Sequence, residues 1–231
     1  MKKYTFEEIK KIIVDFEIKV QDNLEKVFCP VHLSLGHEDV AAELHCNLID
    51  DDWLFSTHRN HHHYLAKGGD PQKLWDEIMG LPTGINQGYA GSQAIVDKSI
   101  NFHASAILGG LIGVAAGAAY AFKAKSFKQI SICCIGDAGT EQGVFWETLN
   151  FSSLNSIPIL FICENNGMSV DAKIEERQHG EISKKVEAFG INIFSSITES
   201  VNFVRTQRKP AFCEQKVTLR CSHINMATML D

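Results

Sequence analysis

Cysteine pairs in the C-x-x-C spacing that holds zinc are missing from this 231-residue chain, although it carries seven cysteines. Three of these, Cys133, Cys134 and Cys163, fall inside apolar runs and read as reduced core residues. Positive charge is not in excess: the formal net charge is −6, which offers no overall attraction for nucleic acid or an anionic membrane. The first twenty residues, MKKYTFEEIKKIIVDFEIKV, lack the apolar centre of a signal peptide because Glu7, Glu8, Lys10, Lys11 and Asp15 interrupt it. Repeats, low-complexity tracts and Pro/Ser-rich linkers are lacking too, so one domain over residues 1–231 is expected. The one long uncharged run, residues 104–122, is rich in alanine and glycine and makes a weak membrane segment. Its Gly109, Gly113 and Gly117 stand four apart on one helical face, which suits a closely packed buried helix at a subunit interface. A soluble, cytoplasmic protein is the expectation.

With 45% hydrophobic residues the chain can bury a full core. Thr5, with Glu8 three positions on, predicts the start of a helix whose apolar stripe is Ile9, Ile12, Ile13, Phe16, Val20, Leu24 and Val27, ended by Cys29-Pro30. GHEDVAAELHCNLI reads as a second helix, DDDWLFSTHRNHHHYLAKGGDP as a polar loop, PQKLWDEIMG as a third helix and LPTGINQGYAGS as a loop. Beyond the Gly/Ala segment the pattern alternates: strand at 129–135, helix at 141–154, strand at 159–163, and a last strand at 211–219. Strands separated by helices predict an α/β fold, a parallel sheet flanked by helices.

In an open parallel sheet ligands bind beyond the carboxyl ends of the strands, and the Asp137 turn and the Asn165-Asn166 turn both fall there. Asp137 offers a carboxylate oxygen, Asn166 an amide oxygen and Met168 a backbone carbonyl, a set suited to octahedral magnesium completed by a diphosphate and water. Gly136 and Gly139 allow close approach, and the helix that follows aims its first amides at phosphate. The same aspartate and asparagines also serve as ordinary turn and cap residues, so spacing leaves both readings open.

Gly136-Asp137 followed by Asn166, with VFWETLNF and CENNGMSV, resembles the diphosphate-and-magnesium motif of thiamine diphosphate enzymes. More closely, the chain is similar to the alpha subunit of the thiamine diphosphate-dependent first component of 2-oxo acid (pyruvate, branched-chain, acetoin) dehydrogenases. HLSLGHEDVAA, LFSTHRNHHHYLAKGGDP, GSQAIVDK and LRCSHIN carry the likeness over most of the chain. The resemblance implies that Asp137, Asn166 and the Met168 carbonyl hold Mg2+. It also implies that Ala138 and Gly139 present backbone to the diphosphate, and that Arg59 contacts a phosphate. Leu108 would be the apolar wedge that bends thiamine diphosphate, and His58 and Ala106 further cofactor-binding positions. His61 and His223 are the implied catalytic histidines, with His103 a weaker candidate. Adjacent side chains diverge, so His61, His62 and His63 are not expected to share one zinc.

Departures from the family are also legible. Ala138 stands where the family has glycine, and Met168 where tyrosine is common. The segment 199–210 is shorter than the family's helix, and the chain is expected to be truncated at its C-terminus. A regulatory serine is replaced in the loop at His223-Ile224. The activating glutamate belongs, in this family, to a separate chain, so a beta subunit and an alpha2beta2 assembly are implied partners. The implied reaction removes an acyl or aldehyde unit from a 2-oxo acid or acyloin and transfers it. Alternatives are a transketolase-like or acyloin-forming carboligase subunit acting on a sugar or small ketone, a non-catalytic cofactor-binding subunit, and a magnesium phosphohydrolase using Asp137 as nucleophile.

Overall fold

The computed structural model describes residues 3–27 and 29–223. In chain order come α1 (Phe6–Gln21), α2 (Glu38–Asn47), β1 (Trp53–Ser56), α3 (His61–Ala66), α4 (Pro71–Ile78), β2 (Val96–Asp97) and β3 (Phe102–Ala104). There follow α5 (Ile112–Ala124), β4 (Ser131–Gly136), α6 (Gly143–Asn155), β5 (Ile159–Asn165), β6 (Met168–Ser169) and β7 (Ala172–Lys173). The remainder is α7 (Ile174–Arg177), α8 (Ile182–Glu187), β8 (Asn192–Phe194), α9 (Ile197–Gln207) and β9 (Ala211–Lys216). The chain groups into two compact units: one takes the residues up to Asp50, Ser56–Ala106 and the segment from Thr218, the other Asp51–Phe55 and Ile107–Val217.

The first unit is mainly helical. Thr5 and Glu8 form a reciprocal capping box that satisfies two otherwise orphaned amides at the start of α1. Ile9, Ile13, Phe16 and Val20 are buried, and α2 and α3 both pack against this helix. The helix is shorter than the apolar stripe predicts. It stops at Gln21 because the Asn23 side chain donates to the Lys19 carbonyl at 2.9 Å, and a short 3-10 turn at Leu24–Lys26 follows. The stretch expected as a polar loop after α2 instead contains β1 and α3. Asn60 anchors α3: its carbonyl accepts from Tyr64 N at 2.8 Å, while its side chain donates to the Ser92 carbonyl at 2.9 Å. A tertiary partner thus makes a helix of a sequence whose histidines favour none.

The second unit holds the parallel sheet, in strand order β1-β4-β5-β9-β8. Every residue of β5 is buried, as is every residue of β4 but its last, which explains their unbroken apolar character. Cys133, Ile135, Phe161, Cys163 and Phe212 form one core with Ile112 and Ala115 of α5, Phe145 and Leu149 of α6, and Ile182 and Val186 of α8. Helix α9 packs on β5, β8 and β9 with Ile197, Val201 and Val204 buried. The α/β expectation therefore holds, with β1 and β8 as strands the sequence pattern did not reveal.

The glycine-rich segment departs from expectation. Its helix begins only at Ile112, because Gly109 takes a left-handed φ of +78° and turns the chain beforehand. Ile112, Ala115, Ala116, Ala119 and Phe122 are buried, whereas Gly113 and Gly117 face open space, with nothing within 4 Å of a Cβ built on either. No helix among the described residues is long and apolar enough to cross a membrane. All seven cysteines are free, and burial pushes the Cys133 thiol up to about 12.

Candidate functional site

The second unit brings Asp137 and the two asparagines to one edge. In the β4–β5 register Gly136 faces Glu164, so Asp137 leaves the end of one strand where Asn165 closes its neighbour. Asp137 is 3% exposed and opens a 3-10 turn, Asp137–Glu141, pinned by the Thr140 hydroxyl donating to the Asp137 carbonyl at 2.6 Å. This turn intervenes before α6, so the helix expected from residue 141 starts at Gly143. Ala138 keeps a negative φ and replaces the family's glycine without backbone strain. A Cβ on Gly136 would meet nothing within 4 Å. Open space thus lies beside a buried carboxylate at the carboxyl edge of a parallel sheet, as an anionic ligand held through a cation requires.

Asn165 and Asn166 do different work. Asn165 donates to Glu214 Oε1 of the adjacent strand at 2.7 Å and accepts from Gly167 N at 2.9 Å. Burial alone would raise the Glu214 carboxyl, but hydrogen bonds from Lys216, Ser183 and Asn165 hold it below the usual range. Asn166 is half-buried, and its side-chain oxygen accepts from Met168 N at 3.0 Å, folding the turn so that Met168 follows in β6 with its side chain outward. Gly167, at φ +75°, supplies the left-handed step this turn needs. Leu108, 42% exposed, stands in the turn preceding α5, an apolar side chain offered outward.

Sequence reasoning missed Arg177, because a lone arginine in EERQ has no pattern to mark it. Its guanidinium pairs with both Asp137 Oδ2 and Glu141 Oε1, and its Nε donates to the Ala172 carbonyl at 3.2 Å. Gln178 donates to Thr140 Oγ1 at 3.1 Å, fastening the same turn. A cavity of about 720 Å³, lined among others by Asn165, Arg177, Ser183 and Glu214, opens alongside.

The first unit gathers the histidines. The rings of His32 and His58 meet edge to face at 4.3 Å, and His223 approaches His32 at 5.7 Å. Burial, then the neighbouring His58, Arg59, His223 and His61 charges, depress His32 to about 3. Burial, then Arg59 and His223, depress His58 to about 4. Arg59 is 5% exposed and donates to the carbonyls of Leu33 and of His223, the latter at 3.0 Å. His32 was not among the residues picked from sequence; a single histidine inside an apolar run looks like a core residue until its neighbours are known.

His61, His62 and His63 are all buried in α3, but the divergence expected of adjacent side chains does not hold for all three: the His62 and His63 rings lie against each other, centroids 3.8 Å apart. His61 Nε2 meets Ser92 Oγ at 2.8 Å while Nδ1 faces Glu17 Oε1 at 3.2 Å; His63 Nδ1 meets Ser56 Oγ at 2.8 Å; the His62 ring lies against His37. His61 therefore presents its nitrogens to buried partners. Ala106 is exposed and His103 half-buried. Ile224, in the loop where no counterpart of the family's regulatory serine is expected, lies outside the described residues.

Comparison with known proteins adds an independent line. The family described as "Dehydrogenase E1 component" matches residues 7–196. The acetoin:2,6-dichlorophenolindophenol oxidoreductase alpha subunit of Bacillus subtilis is 39% identical over 155 residues, covering 66% of this chain and 46% of its own length. The protein of the same description from Cupriavidus necator is 36% identical, over 68% of this chain and 48% of its own. The pyruvate dehydrogenase E1 component alpha subunit of Porphyra purpurea is 36% identical, over 72% and 51% respectively. The chain thus spans about half the length of these curated relatives.

Proposed function

Because the chain belongs to the dehydrogenase E1 component family, we propose that it is the alpha subunit of a thiamine diphosphate- and magnesium-dependent enzyme. The enzyme removes an acyl or aldehyde unit from a 2-oxo acid or an acyloin and passes it to an acceptor. The observation that carries this is the edge where the buried Asp137 follows β4 and Asn165 closes β5 with Asn166 next in the chain, and where a Cβ built on Gly136 would meet nothing within 4 Å. The donor set there, carboxylate, amide and carbonyl oxygen, is that of a hard divalent cation.

Asp137, Asn166 and the Met168 carbonyl are assigned to magnesium, and Ala138 and Gly139 to the diphosphate through backbone. His58, Arg59, Ala106 and Leu108 are assigned to the same cofactor by the family pattern. When bound, thiamine diphosphate supplies the electron sink for breaking a bond to a carbonyl carbon. This chain's residues bind and orient it and keep water from the buried carboxylate. His223 is assigned to proton handling, and so, by the family pattern, is His61. Depressed by burial, the neutral imidazoles of His32 and His58 are poised beside it to accept a hydrogen bond. The glutamate that activates the cofactor belongs to a beta subunit in an alpha2beta2 assembly, placed in the cytoplasm. Residues 1–231 act together as the diphosphate-binding half.

Calorimetric titration of thiamine diphosphate into the chain, with its partner subunit and with or without Mg2+, tests the reading. Magnesium-dependent binding that disappears in Asp137→Ala supports it; binding untouched by that substitution sinks it. A carboligase subunit would share this half-site, and product identity separates the two: an acyl or aldehyde unit passed to an electron acceptor marks a dehydrogenase, a new carbon–carbon bond a ligase. Two relatives named for acetoin favour an acyloin as the first substrate to try.

A further inference from the structure

Arg177 spans two carboxylates that end on the same turn. One of them, Asp137, is the assigned magnesium ligand; the other, Glu141, lies four residues on. The arginine side chain is 11% exposed and the Asp137 side chain 4%, so this contact is shielded from solvent. A buried carboxylate needs a compensating charge, and Arg177 provides one to Asp137. A guanidinium is fixed in shape, always charged and unable to release its proton, so it cannot simply discharge when a metal arrives.

We propose that Arg177 occupies the place of the cation at Asp137 until metal and diphosphate arrive together, which makes cation entry conditional on the diphosphate. The inference rests on the reading of Asp137 as the magnesium ligand. A divalent ion approaching Asp137 alone meets Arg177 a few ångströms away and is repelled at close range. A diphosphate changes the balance, because its oxygens accept the planar N–H fork of arginine as readily as a carboxylate does. Arg177 then exchanges Asp137 for phosphate oxygen, and the metal takes the vacated carboxylate. The exchange is local. Arg177 ends α7, a four-residue helix that follows the two-residue strand β7, so a small movement of residues 171–181 is enough.

The consequence is an order of binding set by one side chain. Free magnesium is refused, whereas magnesium carried in with a diphosphate is accepted. This excludes loading the half-site with a bare ion that holds no cofactor.

Manganese substituted for magnesium, with the free ion counted by electron paramagnetic resonance, reads the site without any activity assay. Wild-type chain, in complex with its partner subunit, should bind Mn2+ at Asp137 only when thiamine diphosphate is present. Arg177→Met should bind Mn2+ alone at least about tenfold more tightly than wild type, and Asp137→Ala in that background should remove the gain. Arg177→Gln, neutral like methionine but polar, should show the same gain and serves if Arg177→Met melts early. Glu141→Gln should show none, because it leaves Arg177 balanced by Asp137 alone. The inference is overturned if Arg177→Met gains no metal affinity, or if wild type binds Mn2+ equally well without diphosphate. Failure of wild type to take up thiamine diphosphate would defeat the cofactor assignment, while the metal-only comparison would still decide the role of Arg177.

Discussion

Asp52 and Arg205, 153 residues apart, are joined by a two-point ion pair, Nη1 to Oδ1 at 3.1 Å and Nη2 to Oδ2 at 2.8 Å. Asp52 is fully buried and its Oδ1 also accepts from Ile130 N at 3.1 Å, so one carboxylate ties the approach to β1, the approach to β4 and helix α9. Removing one member of a buried pair strands the other. Because the Arg205 side chain retains 26% exposure, water partly compensates it, and Asp52→Ala should cost about 2–3 kcal/mol of unfolding free energy, near the low end for buried pairs. Urea denaturation checks this; a loss under about 0.5 kcal/mol, the range of ordinary surface changes, would refute it.

Gly36 has φ +104°, and a Cβ there would run into the Thr218 carbonyl. Gly36→Ala should therefore destabilise the first unit by about 1–3 kcal/mol and push away the segment that carries His223. Arg220 N donates to the Leu35 carbonyl at 2.8 Å and Arg220 pairs with Glu38, so both contacts should loosen together. Faster amide exchange in residues 217–223, alongside a lower melting temperature, is the expected result; unchanged exchange there contradicts it.

The depressed histidines give a pH dependence. Folded His32 and His58 stay neutral down to about 3 and about 4, while the unfolded side chains take up protons near 6.5. Their neutral forms leave stability fully present above 6.5, and it falls as pH drops toward 4, because the unfolded chain binds more protons across that window. Unfolding measured in urea at a series of pH values should show this slope, reduced in His32→Gln; a flat profile between neutrality and pH about 4 would exclude it.

Gly113 and Gly117 are exposed on α5, and among the described residues nothing beyond the helix's own adjacent backbone lies within 4 Å of an added methyl group. Either changed to alanine should stabilise the isolated chain by up to about 1 kcal/mol, through helix propensity alone. Val114 and Tyr120 of α5 and Phe151 and Leu154 of α6 are also exposed, and the Tyr120 and Phe151 rings meet at 5.7 Å. If this face receives the partner subunit, the same alanines should weaken assembly in sedimentation measurements while raising the melting temperature of the free chain. Unchanged assembly, with the free chain still stabilised, would show that nothing packs there.

Much was settled by local chemistry. The Thr5–Glu8 pair marks a helix start because its bonds span a single turn. The runs at Ser131–Gly136 and Ile159–Asn165 announce buried parallel strands because both sheet faces are covered and no alternation survives. Asp137 and Asn166 could be picked out because the ends of such strands are where a parallel sheet meets its ligands. What the tertiary structure alone decided is long-range. The polar stretch around His61 becomes a helix because Asn60 finds the Ser92 carbonyl and His61 finds Ser92 and Glu17. The apolar run at 104–122 is not one helix because Gly109 turns it first. Arg177 faces Asp137 across 40 residues, a contact set by how the β6–β7 hairpin folds back on the turn. Propensity and periodicity act over a few residues, so they specify elements and their ends; charge pairing and close packing act wherever the chain returns, and only the folded chain brings those partners together.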